Sequence, residues 1–190
     1  NTSTFGSQKT LVILVNFQDN TSQPITVPDM QLNFSNYWSP WYKEVSYDQD
    51  WIDATVVGWY TMPISTSGCN IYSIEQYANQ AAQNAGIDLS LYPRLVYVFP
   101  HSPSSACAAA GYGEVGGNPS HAWINWQQYN NGFVFIHEYG HNHGLYHSHS
   151  YNPTPANIVG PGNKMEYGDK FDIMGSGSIN HFNAYQKSRL

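Results

Sequence analysis

The sequence predicts an α/β chain, α+β in its proportions, that is regular up to about residue 143 and irregular beyond. Three observations carry this. Apolar, β-branched runs alternate with segments of helical periodicity in the first part of the chain. Of 190 residues, 41% are hydrophobic and 15% aromatic, enough for one buried core and so one domain. From Ser148 onward Pro and Gly recur without any period.

Lys9 to Phe17 is a continuous apolar run, the pattern of a central strand buried on both faces. Met30 to about Asp48 is aromatic-rich and reads as a helix that Pro40 kinks or breaks. Trp51 to Tyr60 reads as a strand. Ser73 to Ala85 is a helix, with Ile74, Tyr77, Ala78, Ala81, Ala82 and Ala85 on one face. Ser73 and Gln76 suggest a capping box, and Gly86 a stop. Arg94 to Pro100 is a buried strand, and Ala122 to Trp126 a short one. Between them, Gly111 to Gly117 (GYGEVGG) lacks the spacing and the lysine of a phosphate loop, so it reads as a strand edge or turn. A second helix runs from about Gly132 to His143. Ser148 to Lys170 reads as irregular chain.

Composition excludes several functions. Only 11% of residues are charged, against an ordinary ~25%. The net charge is -6, with seven Lys plus Arg and no basic run, so no nucleic-acid partner is expected. The longest apolar run, Leu11 to Val15, is strand-sized, so no membrane span is expected either. The two cysteines, Cys69 and Cys107, form no C-x-x-C pair, which excludes a thiol redox motif or a cysteine zinc site. In a low-charge, secreted-looking chain a Cys69–Cys107 disulfide is the expectation, two buried thiols the alternative. Asn1 is not an initiator methionine, and Leu190 falls in an expected helix, so the chain reads as a piece of a longer product.

The chemistry concentrates in Phe133 to His147 (FVFIHEYGHNHGLYH), which contains H-E-x-x-H-x-x-G-x-x-H. On a helix, His137 and His141 lie one turn apart on one face and can aim both imidazoles at one ion. Gly144 can take positive φ, end the helix and let His147 swing back as third ligand. Three protein nitrogens and one open position are what a catalytic zinc uses. Glu138 follows the first ligand but points too far round the helix to join it, so it is placed as general base. His143 and His149 read as solvent-facing, and His101, His121 and His181 lie outside any ligand spacing. Asp48, Asp50 and Asp53 lack the glycine and closing glutamate of a calcium loop and read as a solvated strand start. Calcium is possible elsewhere, but no motif indicates it.

The extended histidine motif resembles that of the metzincin clan of zinc endopeptidases. Within it, RLVYVFP, the stretch from Cys107 to Gly117, EYGDKFDIMG and HFNAYQK most resemble the gametolysin-like peptidases. The resemblance implies a two-lobed catalytic domain spanning 1–190. A twisted, mostly parallel sheet and two long helices would form the N-terminal lobe, 1–144, and irregular chain the C-terminal lobe, 145–190. It implies a methionine turn at Asp172–Gly175, with Met174 rather than Met165 beneath the zinc. It also implies a secreted, monomeric endopeptidase acting on protein or peptide, with one catalytic zinc. A substrate strand would pair with the edge at 108–117. The competing reading is an inactive, zinc-containing binding module. The sequence departs from the astacin- and serralysin-like pattern at Ser176, where those enzymes place a tyrosine; Tyr167 and Tyr185 are the candidate substitutes.

Overall fold

The run that begins at Gly6 becomes an interior strand of a five-stranded sheet. In the computed structural model, which describes residues 4–102, 107–126, 131–154, 160–177 and 181–190, β1 (Gly6–Phe17) pairs in parallel with β2 (Asp50–Met62) and β3 (Arg94–Pro100). The sheet continues through parallel β5 (Ser120–Trp126) to a short antiparallel edge, β4 (Gly111–Gly113). The order is β2-β1-β3-β5-β4.

Side chains of β1 alternate between two cores, as period-2 geometry requires. Leu11, Ile13, Val15 and Phe17 face one side together with Leu95, Tyr97 and Phe99. Val12 and Leu14 face the other with Val96 and Val98. Burial on both faces explains why these strands lack polar alternation. Helix α3 (Ile71–Asn84) covers the first side through Ile74, Ala78 and Ala82. Its N-cap is Asn70, whose side chain accepts from Ser73 N, so the Ser73 capping box is not used. The helix starts one turn's fraction earlier, because Asn70 is the extended residue with a free acceptor.

The other side is covered by α1 (Val27–Asn33), a π-turn (Phe34–Trp38), α2 (Ser39–Val45) and α4 (Asn131–Asn142). Pro40 does not break the chain there. It occupies the first turn of α2, where its missing N–H costs nothing, and the π-turn before it absorbs the change of register.

Cys69 and Cys107 form the disulfide, tying the entry to α3 to the loop after β3. Ser148 to Lys170 is less irregular than expected. It carries the hairpin β6 (Ser150–Pro153) and β7 (Gly162–Met165); the rest of this expectation, 155–159, lies outside the described residues. The strands are short and exposed, which leaves no apolar alternation to read. Helix α5 (Ala184–Lys187) lies near the end of the chain. Among the described residues, no helix is long and apolar enough to cross a membrane.

Candidate active site

Helix α4 presents two faces. Phe135, Ile136 and Tyr139 are buried in the core. Phe135 stacks on Trp38 at 4.4 Å between ring centroids, and Tyr42 Oη donates to Ile136 O at 3.1 Å. Tyr139 Oη is 2.6 Å from Thr10 Oγ1 on β1. The opposite face carries His137, Glu138 and His141 into a cleft. Gly144, at φ +85°, ends the helix, and the chain turns so that His147 meets the other two histidines. One ligand-capable atom from each of His137, His141 and His147 lies within 4.8 Å of the others, and His141 Nε2 is 3.1 Å from His147 Nε2. No other such cluster of three occurs among the described residues.

Each ring is held from its far nitrogen. His137 Nδ1 lies 2.8 Å from Ile173 O, and His141 Nδ1 lies 2.7 Å from Leu145 O. His147 Nδ1 is 2.8 Å from Glu166 Oε1. Carbonyl and carboxylate oxygens only accept, so a hydrogen sits on each Nδ1 and Nε2 is the nitrogen that each ring turns toward a metal. Burial pushes His137 down to about 4 and lowers His141 as well, which keeps both rings in the neutral form that ligates. Burial alone pushes Glu138 up to about 8; a cation held at the three imidazoles would oppose that shift. Three imidazole nitrogens beside one carboxylate fit a catalytic zinc.

Two glycines fix how closely the sheet edge approaches this carboxylate. A Cβ at Gly111 would lie 2.6 Å from Glu138 Cγ and 2.8 Å from its Oε1. One at Gly113 would lie 2.4 Å from Glu138 O. The glycines of GYGEVGG therefore serve close packing of β4 on α4. The spacing of Gly111 and Gly113 on one strand face was the available signal, although it does not name its partner. Asn142 Nδ2 donates to Glu114 O and His121 O, pinning the same helix to the same edge.

Met174 is 0% exposed and Met165 50%, so of these two methionines it is Met174 that packs inside. A Cβ at Gly140 would lie 2.7 Å from Met174 Sδ, which places the thioether against α4 between the turns that carry His137 and His141. Asp172 shapes this turn: Oδ1 accepts from Met174 N at 2.7 Å and Oδ2 from Asn183 N at 2.9 Å.

His143 is not solvent-facing. Its Nδ1 donates to Tyr139 O at 2.8 Å, and its Nε2 lies 2.9 Å from Asp50 Oδ2, with both side chains buried. The residue continues the inward row Phe135, Tyr139, His143 at i, i+4 spacing, and Tyr42 stacks on it at 5.2 Å. Asp50 is correspondingly buried at the start of β2, whereas Asp53 is exposed beside Ser7. These aspartates are not one solvated cluster. Of the two candidate tyrosines, Tyr167 lies over the site, 3.9 Å from the His147 ring by centroids and 6.0 Å from His137. Tyr185 is 67% exposed and pairs with Arg189 instead. A cavity of ≈ 430 Å³ opens beside His137 and Glu138, walled by Ala110, Phe133, Val134 and Tyr167.

A family model described as gametolysin peptidase M11 matches residues 25–190. Metalloproteinase-II from Bacteroides fragilis is similar in structure over 100% of this chain and 54% of its own, at 12% identity and a TM-score of 0.56. A structure of a chaperone-substrate complex is similar over 97% of this chain and 30% of its own, at 15% identity and a TM-score of 0.53. This chain thus spans 54% and 30% of those two solved chains, and at such identities the likeness is one of fold. No curated protein matches the sequence.

Proposed function

Because this chain belongs to the gametolysin peptidase family M11, we propose that it is a secreted, monomeric zinc endopeptidase of the metzincin type. The observation that carries the reading is the convergence of three imidazoles, each fixed through Nδ1, beside a buried carboxylate. In this reading His137, His141 and His147 hold the metal. Zinc, when bound, supplies Lewis acidity and makes water nucleophilic near neutral pH.

The chain's own residues do the rest. Glu138 takes the proton of the attacking water and delivers it to the departing amine, a general base that then acts as general acid. The substrate runs as an extended strand beside β4, an edge strand of the sheet, and adds to it by main-chain hydrogen bonds. Gly111 brings that edge to Glu138, so a carbonyl paired with β4 arrives within reach of the carboxylate. The neighbouring cavity is walled mainly by Phe133, Val134, Ala110 and the Tyr167 ring, which suits an apolar side chain. Residues 1–144 and 145–190 form the two walls of the cleft in this proposal. Met174 packs beneath the ligands without bonding the metal. The disulfide supports an oxidising, extracellular location.

Hydrolysis of casein, followed with and without a chelator and after zinc is restored, tests the reading. Activity lost with the chelator and regained with zinc is expected. A chain that binds zinc but cleaves neither casein nor gelatin would instead be the inactive binding module.

A further inference from the structure

We propose that Glu166 is a positioning residue for His147, and so sets the affinity of the metal centre from outside the ligand set. The inference rests on the metallopeptidase reading above. His137 and His141 belong to α4 and are held by main-chain carbonyls that the buried turn at Ile173 and the helix end at Leu145 supply. His147 lies beyond the helix, on chain that has already turned at Gly144, and it is the most exposed of the three. Its Nδ1 is held by a side chain, the Glu166 carboxylate at 2.8 Å.

The fold delivers that carboxylate by a definite route. The hairpin β6–β7 starts three residues after His147 and pairs Ser150 with Met165. Extending this register by one residue sets Glu166 level with His149, at the mouth of the hairpin and next to the ligand segment. Tyr167 then turns the chain at φ 58° and lays its ring on His147, with centroids 3.9 Å apart. Gly168 closes against Ser150, where a Cβ would lie 2.2 Å from Ser150 Oγ. The sequence Glu-Tyr-Gly is therefore fixed to the base of the hairpin on one side and to His147 on the other.

The chemistry follows from the acceptor. A carboxylate accepting Nδ1–H locks the tautomer, fixes the ring plane and makes Nε2 more basic than a carbonyl acceptor would. Glu166 touches neither a metal position nor the cleft by this contact; it acts through His147. Its side chain is 63% exposed, so truncating it opens no core cavity.

The test is the zinc dissociation constant of the purified chain, measured by competition with a chromophoric chelator, together with the melting temperature of the metal-free protein. Glu166→Ala should weaken zinc binding about 10- to 100-fold and leave the metal-free melting temperature unchanged. Glu166→Gln keeps an acceptor oxygen without the charge and should recover most of the loss. Glu44→Ala breaks another exposed Glu–His pair, with His181 at 3.1 Å, and should leave zinc affinity unchanged. Equal affinity in Glu166→Ala and the parent would overturn the inference while leaving the metallopeptidase reading intact. An equal loss in Glu44→Ala would also overturn it, by showing a general surface effect. A parent that binds no zinc would overturn the metallopeptidase reading itself.

Discussion

A single methyl at Gly111 should separate catalysis from metal binding. An ideal Cβ there lies 2.6 Å from Glu138 Cγ, 2.8 Å from its Oε1 and 2.8 Å from Val134 Cγ1. Carbon atoms pack best at roughly 3.5–4.0 Å, so β4 and the Glu138 side chain must part by about an ångström. Overpacking of this kind costs roughly 1–3 kcal/mol of stability. Displacing a reacting group by about an ångström costs on the order of 10²-fold in rate. The three imidazoles are held from other directions, by Ile173, Leu145 and Glu166, so zinc should stay. Gly111→Ala is therefore expected to bind one zinc per chain, melt somewhat earlier and cleave casein about 100-fold more slowly. Gly68→Ala is the matched control, because its added Cβ meets only Ser65 Oγ, at an ordinary 3.6 Å. Initial rates, metal content and melting curves of the three proteins decide the matter. If Gly111→Ala keeps its activity within about threefold while zinc is intact, the edge strand does not set the position of Glu138.

Five further outcomes are expected. Glu138→Gln should retain zinc by elemental analysis and lose on the order of 10²- to 10⁴-fold in peptide hydrolysis, the worth of a general base; activity within tenfold of the parent would contradict its role. His147→Ala should lose zinc and activity, whereas His149→Ala should keep both. His143→Ala should keep zinc but lose roughly 3 kcal/mol in denaturant unfolding, because Asp50 is left buried without its partner at 2.9 Å. Replacing Cys69 and Cys107 by Ala should lower stability by up to about 4 kcal/mol, from a closed loop with a separation of 38 residues; an unchanged unfolding midpoint would show that the bridge does not constrain the unfolded chain. Met174→Leu should cost under about 1.5 kcal/mol and leave zinc stoichiometry unchanged, whereas outright release of the metal would make the thioether a ligand.

Much of this molecule is legible from local pattern. β1 and β3 are apolar at successive positions because cores lie on both sides of the sheet, and that is visible in the residues themselves. The histidine motif is equally local: helix pitch relates His137 to His141, and one positive-φ glycine relates both to His147. What escapes is whatever depends on a distant partner. His143 looks like a polar helix end until Asp50, from the start of β2, is found opposite it. Glu166 looks like one more surface carboxylate until a hairpin of low apolar content returns it to His147. Ser73 and Gln76 fit a capping pattern, but Asn70, three residues earlier, offers the acceptor first. In each case the local signal is sound as chemistry, and a contact distant in sequence or a nearer competitor decides the outcome.

The same contrast explains how the cleft is assembled. Helix α4 bears two of the three histidines and Glu138, yet little in α4 itself fixes its position. Trp38 and Tyr42 hold its inward face, and Thr10 on β1 holds Tyr139. Gly111 and Gly113 let the sheet edge press on Glu138 from a second side. From a third side, the turn at Asp172–Gly175 supplies the Ile173 carbonyl to His137 and the Met174 thioether to Gly140. The turn is tied to Asn183 through Asp172 Oδ2. Each of these supports meets a different part of the site. Supports on the sheet-edge side meet Glu138, whereas the turn and Glu166 meet the histidines. Substitutions at the edge should therefore slow hydrolysis with zinc in place, and substitutions at the turn or at Glu166 should weaken zinc binding first.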